Sequence, residues 1–204
     1  MQPFKGLDEA IACPLPLANV DTDQLIPARF MKQPRAAGYG GFLLHDLRFA
    51  TDGSARGLTL DDPAFAGARV LVARRNFGSG SSREAAVYAL VDFGFRCVVA
   101  PSFGDIFASN AVNNGLLPAR VDDDAAERLL DHAAAGRRVS VDLETRTIRA
   151  GGETIPFAVD EVWRTKLLNG WDDIDLTLSH AAAIRAFAAE RAAVHPWSLP
   201  RDQG

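Results

Sequence analysis

The sequence predicts a mixed α/β fold, and three observations carry the prediction. Short apolar runs, "ARVLVA", "FRCVVAP" and "LLPARV", alternate with helix-patterned segments between residues 68 and 121. That strand–helix order implies parallel strands joined by right-handed crossovers. Downstream, "RVSVDLETRTIRAGGETIPF" alternates with period two between turn residues, as an antiparallel hairpin or meander does. The 204 residues, 48% hydrophobic and 24% charged, suit one domain with a sizeable core, or one with a small appendage.

In chain order, residues 4–27 mix short apolar pieces with turn residues and end in "NVDTDQLIPARF". Residues 33–67 are rich in Gly, Pro and Asp and read as long loops with one short helical piece near Phe42–Leu47. After the strand "ARVLVA", "SSREAAVYALVDFG" is a helix with an apolar face and Gly94 as its stop. "FGDIFASNAVNNG" is a second helix, ended by Asn-Gly, and "DDDAAERLLDHAAAG" is a capped third. "EVWRTKLLNG" and "SHAAAIRAFAAERAAV" are also helical, and the Ala and Arg of the latter form a solvated or subunit-facing surface. The expectation is one domain over 1–204: a loop-rich part to 67, an α/β core over 68–195 and an irregular tail over 196–204.

Several classes of function are disfavoured. The net charge is −4 and no Lys/Arg run resembles a nucleic-acid footprint. No apolar stretch approaches a membrane span, and "MQPFKGLDEAIACP" lacks the apolar region of a secretory signal, so the expected compartment is the cytoplasm. Cys13 and Cys97 are expected as free thiols and are too few to hold an iron–sulfur cluster. Cys97, in an apolar strand, reads as a buried small hydrophobe. The four histidines are scattered without metal-ligand spacing, so no metal site is expected on this chain.

The chemistry concentrates in "NFGSGSSRE", residues 76–84, at a strand-to-helix junction. Gly78 and Gly80 have dinucleotide-fingerprint spacing, but Arg83 stands where the third glycine would let helix and strand approach. The Walker loop G-x-x-x-x-G-K-[ST] is absent. Ser81-Ser82-Arg83-Glu84 matches S-x-x-E, a capping box in which Ser81 and Glu84 satisfy each other's backbone N–H groups. Capping does not exclude chemistry. A helix N-terminus offers free N–H groups, and the glycines let the backbone turn close to a ligand. Arg83 opposes the dipole preference for an acid there, which invites a functional explanation. Arginine binds carboxylates bidentately, and a serine beside it on a helix N-terminus is placed to act as a base. A binding module holding a phosphate or nucleotide on this loop is the reading of a different class.

"NFGSGSSREAA", "DFGFRCVVAPSFGDIF", "NNGLLP", "NVDTDQLIPARF" and "GWDDIDLTL" together resemble the small-subunit family of 3-isopropylmalate dehydratases. That family is similar to the swivelling C-terminal domain of aconitase, and the match runs from about residue 4 to 195. The resemblance implies a swivelling β/β/α domain, a mixed sheet flanked by helices. It implies a large-subunit partner carrying a [4Fe–4S] cluster whose iron acts as Lewis acid, with no cofactor on this chain. It implies isomerisation of 2-isopropylmalate to 3-isopropylmalate, by loss and re-addition of water, in leucine biosynthesis. Citramalate, homoaconitate and dimethylmalate are alternative substrates. Ser81 matches the catalytic base; Ser82 and Arg83 match neighbours that bind a substrate carboxylate. Asp21, Thr22 and Asp23 match a "DTD" that faces the site, against which stands a plain turn or helix cap. Arg35 lies near the position of a substrate-binding arginine, with Arg29 as rival. The loop Lys32–Gly41 discriminates substrate side chains in that family. One departure stands out: Ala85 occupies a position where the family usually has histidine.

Overall fold

The computed structural model of the chain describes residues 1–80 and 83–198, with only the backbone of Ala37 and Ser198. Among them, seven strands form one sheet. β1 (Gly6–Leu15), β2 (Val70–Ala73), β3 (Cys97–Ala100) and β4 (Leu117–Arg120) are parallel; β5 (Arg138–Asp142), β6 (Thr147–Ala150) and β7 (Glu153–Pro156) form an antiparallel meander. The order is β4-β3-β2-β1-β5-β6-β7. β1 joins the halves, parallel to β2 on one side and antiparallel to β5 on the other.

The period-two geometry of a strand divides the core between the two faces of the sheet. Leu71, Ala73, Val98 and Ala100 pack on one face against α3 (Glu84–Phe93), through Ala86, Val87, Ala89 and Leu90. Val70, Val72, Cys97 and Val99 point the other way, onto Leu129, Leu130 and Ala133 of α5 (Asp123–Ala134). Both faces of these strands are covered, which is why they read as continuous apolar runs rather than alternating ones. α4 (Asp105–Asn113) connects β3 to β4. The expected strands and helices of residues 68–157 thus form as read.

Within the first 67 residues one segment is a strand that the apolar pattern did not mark. β1, ten residues long, is the central strand of the sheet. Asp8-Glu9 and Pro14 interrupt its apolar pattern. Glu9 sits at φ 43 where the β5 register shifts between Leu7 and Ala10, a bulge that absorbs the polar pair. Pairing with β5 stops at Ile11, so Pro14 lies where β1 has only one sheet neighbour, a position that tolerates the missing N–H. The remaining N-terminal helix signals resolve into α1 (Thr22–Leu25), 3₁₀ turns at Ala28–Lys32, Arg35–Ala37 and Tyr39–Phe42, and α2 (His45–Arg48).

C-terminal to the meander lie α6 (Glu161–Asn169), α7 (Asp173–Ser179), which periodicity did not mark, and α8 (Ala181–Val194). α7 and α8 contain no buried residue, and Ile174, Leu178, Phe187 and Val194 are exposed. α7 is tied to the body by Lys166 of α6, whose ammonium is buried and donates to Asn113 Oδ1 of α4 and to Asp173 Oδ1 at 2.5 Å. The Lys166 hydrogen bond holds the Asp173 carboxyl below its ordinary value. Lys166→Met removes a buried charge while keeping the stem's volume, and Asp173 is exposed enough to resolvate. Global stability is therefore expected to stay within about 1 kcal/mol, while amide exchange in α7 accelerates. Unchanged exchange in α7 would show that the lysine is not its anchor.

Candidate active site

Parallel alignment places the carboxyl ends of β1 to β4 on one edge of the sheet, where open α/β sheets bind ligands. The segment after β1 is "NVDTD" and the segment after β2 is the glycine loop. Pairing between them outlasts the strands. Arg74 N donates to Leu17 O (3.1 Å), Asn19 N to Arg75 O (2.9 Å), Gly78 N to Val20 O (2.7 Å) and Thr22 N to Ser79 O (2.9 Å), with a parallel bridge between Asp21 and Ser79. The two motifs, more than fifty residues apart, form one backbone-bonded unit.

The connection after β3 clamps the loop from its other side. Phe77 N donates to Ser102 O (3.0 Å), Gly104 N to Phe77 O (2.9 Å) and Asn76 N to Ser102 Oγ (2.8 Å). The Phe77 side chain is fully buried, edge-on to Phe103 and Phe107. Gly78, at φ +72, has no room for a side chain, since a Cβ there would fall inside the Phe107 ring. Gly80, at φ +93, needs the left-handed conformation, and a Cβ there would lie in ordinary contact with Asp21 Cβ (3.6 Å) and Thr22 Oγ1 (3.8 Å). Sequence reading gave Ser102 and Gly104 no role; the signal was "PSFG" at the carboxyl end of a buried strand.

Ser81 and Ser82 lie outside the described residues. Arg83, which follows them, is extended (φ −126°, ψ 100°), and its half-buried guanidinium donates through Nη1 to Asp23 Oδ1. The last acid of "DTD" and the arginine of the loop are therefore joined by side chains as well as by backbone. Asp21 does act as a helix cap: Oδ1 accepts from Gln24 N (2.7 Å), and Asp21 N donates to Gln24 Oε1 (3.0 Å), a capping box for α1. Thr22 is buried within this turn.

The capping box expected from Ser81 and Glu84 involves a residue outside those described. α3 begins at Glu84 with Arg83 as its N-cap residue and no side-chain cap. The Glu84 carboxylate accepts from Asn114 Nδ2 (3.0 Å). Ala85 is partly buried against the core on the α3 side.

Arg35 sits further along α3. Its guanidinium is 3.2 Å from Asp92 Oδ1 and stacks 3.9 Å from the Tyr88 ring centroid, and Asp92 Oδ2 also accepts from Tyr39 N (3.2 Å). The structure thus fastens the 3₁₀ turns of residues 35–42 to α3 through Arg35, without bringing it into contact with Arg83 or the "DTD" acids. Arg29 pairs with Asp46 (Nη1–Oδ2 2.8 Å) and lies over Phe30, and the Asp46 carboxyl is lowered to about 2 chiefly by that bond. His45 interacts with Asp46 (3.3 Å).

The two cysteines do not suit a metal cluster. Cys13 and Cys97 are buried in different halves of the core; desolvation pushes the Cys13 thiol up to about 12 and the Cys97 thiol higher still. Among the described residues no group of three His, Cys, Asp or Glu side chains converges on a metal position, and no helix is long and apolar enough to cross a membrane.

Comparison with known proteins agrees with this architecture. The Aconitase C-terminal domain model matches residues 7–124 and the LeuD_N model residues 127–161. Residues 173–201 match the model for the C-terminal domain of the 3-isopropylmalate dehydratase small subunit. The chain is 47% identical over 195 residues to the 3-isopropylmalate dehydratase small subunit of Granulibacter bethesdensis, covering 94% of this chain and 93% of the relative. It is 49% identical over 191 residues to that of Jannaschia sp., covering 92% and 95%. A solved 3-isopropylmalate dehydratase from Methanocaldococcus jannaschii superposes with a TM-score of 0.62 at 25% identity, over 88% of this chain and 97% of that one.

Proposed function

The chain belongs to the 3-isopropylmalate dehydratase small-subunit family, and from that premise we propose that it is the smaller component of a heteromeric cytoplasmic hydro-lyase of leucine biosynthesis. Its substrate is 2-isopropylmalate, converted to 3-isopropylmalate by loss and re-addition of water. The larger component carries the iron–sulfur cluster, and this chain supplies the base and a carboxylate clamp.

One observation carries the clamp: Arg83 already holds a carboxylate, that of Asp23, at the junction of the two motif segments. Among the described residues the contact uses Nη1, and a guanidinium has further donors with which to take a substrate carboxylate. The backbone around it is fixed from two sides, by the "DTD" segment and by Ser102–Gly104. Preorganisation of this kind favours charge that develops on the carboxylate as the adjacent carbon loses its proton. Ser81, between Gly80 and Arg83 in sequence, takes that proton and returns it in the reverse sense when water adds at the other carbon. The cluster on the larger component would supply Lewis acidity toward the departing hydroxyl.

Co-expression with a cluster-bearing large subunit, followed by isomerase assay of the purified complex, tests the proposal. Turnover is expected with 2-isopropylmalate and from neither subunit alone. Preference for citramalate, homoaconitate or dimethylmalate would overturn the substrate. An inert complex, or tight nucleotide binding by the chain alone, would overturn the enzymatic reading.

A further inference from the structure

A second concavity lies on the same edge of the sheet but further out, at the carboxyl ends of β3 and β4. It has a volume of about 570 Å³ and is walled by Phe103, Asp105, Arg120, Val159, Asp160 and Trp163. Its size falls within the usual range for small-molecule sites, about 300–1,000 Å³.

Its charges are arranged unusually. Arg120 carries one sign, Asp105 and Asp160 the other, yet none of the three enters an ion pair among the described residues. The arginine is held in place by its backbone, since Arg120 N donates to Ala158 O (3.1 Å) and Ala158 N to Arg120 O (2.7 Å). Asp160 is fixed as the N-cap of α6, where its Oδ1 accepts from Val162 N and Trp163 N. Asp105, in the first turn of α4, complements that helix's dipole. Both acids thus serve the N-termini of their helices, whereas the Arg120 side chain has no hydrogen-bond or ion-pair partner among the described residues. Charges of both signs, not paired with each other among the described residues, line a space shared with two aromatic rings and a valine. A molecule bearing both charges and an apolar substituent satisfies all of them at once.

We propose that this cavity binds a free α-amino acid with an apolar side chain. Its carboxylate lies on Arg120, its ammonium faces Asp105 and Asp160, and its side chain lies against Phe103, Val159 and Trp163. The wall reaches the glycine loop through Ser102, which also lines the cavity and accepts from Asn76 N and Phe77 N. Gly104, between the wall residues Phe103 and Asp105, donates to Phe77 O, and a Cβ on it would stand 2.5 Å from Gly78 O. Occupancy of the cavity bears on the backbone that positions Arg83, so the site is placed to regulate turnover. Binding itself is independent of the catalytic reading, because it is measured on this chain alone.

Calorimetric titration of the full-length chain with L-leucine is expected to show saturable binding at or below about 1 mM. 4-Methylpentanoate lacks the ammonium and 3-methylbutylamine lacks the carboxylate; each is expected to bind at least about tenfold more weakly. Arg120→Met and Asp105→Asn are each expected to weaken leucine by a similar factor, with unchanged circular dichroism confirming the fold. Absence of binding at about 10 mM leucine overturns the proposal. So does 4-methylpentanoate binding as tightly as leucine, or leucine affinity unaltered in both folded variants.

Discussion

A complex reconstituted with Ser81→Ala is expected to turn over about 10²–10⁴-fold more slowly, with KM little changed. On the proposed mechanism the substitution removes the base and leaves the carboxylate clamp intact. Arg83→Ala should behave differently. It would remove the proposed contact to the bound substrate as well, so KM is expected to rise together with the fall in kcat. It also releases Asp23, leaving an unneutralised acid where the substrate carboxylate must sit. Arg83→Lys keeps the charge but not the fork, and is expected to rescue only part of the loss. Full turnover by Ser81→Ala, in a complex that still binds substrate, would remove the serine from the chemistry. Equal kinetics for Arg83→Ala and wild type would remove the clamp.

The largest expected loss of stability is at Gly78. An alanine there must adopt the left-handed conformation, at a cost of about 1–2 kcal/mol, and its Cβ overlaps the Phe107 ring. Overpacking of a filled core adds about 1–3 kcal/mol. The sum, roughly 2–5 kcal/mol, is a large share of the 5–15 kcal/mol that keeps a domain folded. Denaturant unfolding of Gly78→Ala, Phe107→Ala and the double variant separates the two parts. Removing the ring should relieve the overlap and not the backbone strain, so the double variant should lose about 1–3 kcal/mol less than the sum of the singles. Strict additivity would show that the ring does not set the loop's path. The same variant also bears on function, since Gly78 N is the donor that ties the loop to Val20.

The parts of the fold that were legible share one property: their signals are local. Val70–Ala73 and Cys97–Ala100 are apolar throughout because both sheet faces are covered, and Gly94 ends α3 at a positive φ that only glycine adopts cheaply. β1 was not legible because what makes it a strand is distant. Its partners are residues 70–73 and 138–142, and its bulge at Glu9 hides the alternation. The site divides in the same way. "DTD" and the glycine loop could be picked out as segments, and Asp21 proved to be the cap that its residue type suggested. Their union through Asp23–Arg83 rests on the parallel pairing of β1 with β2, which no local pattern contains. The contact of Glu84 with Asn114, at the end of a neighbouring helix, is likewise set by a residue distant in sequence. The contacts that place Arg35, with Tyr88 and Asp92 of α3, also join residues distant in sequence.

The central position of β1 also orders events in time. It leaves the ribosome before either of its partners, and its Leu7 pairs with Val141. At about 5–20 residues per second, on the order of ten seconds separates their synthesis. The β2 partner arrives after roughly half that interval, so the parallel edge, with the "DTD" segment and the glycine loop, can assemble while the opposite side of β1 is still bare. An uncovered strand edge is a template for pairing with other chains. For this protein the vulnerable period of biogenesis is the wait for the meander, and it falls on the strand that the mature molecule buries in the middle of its sheet.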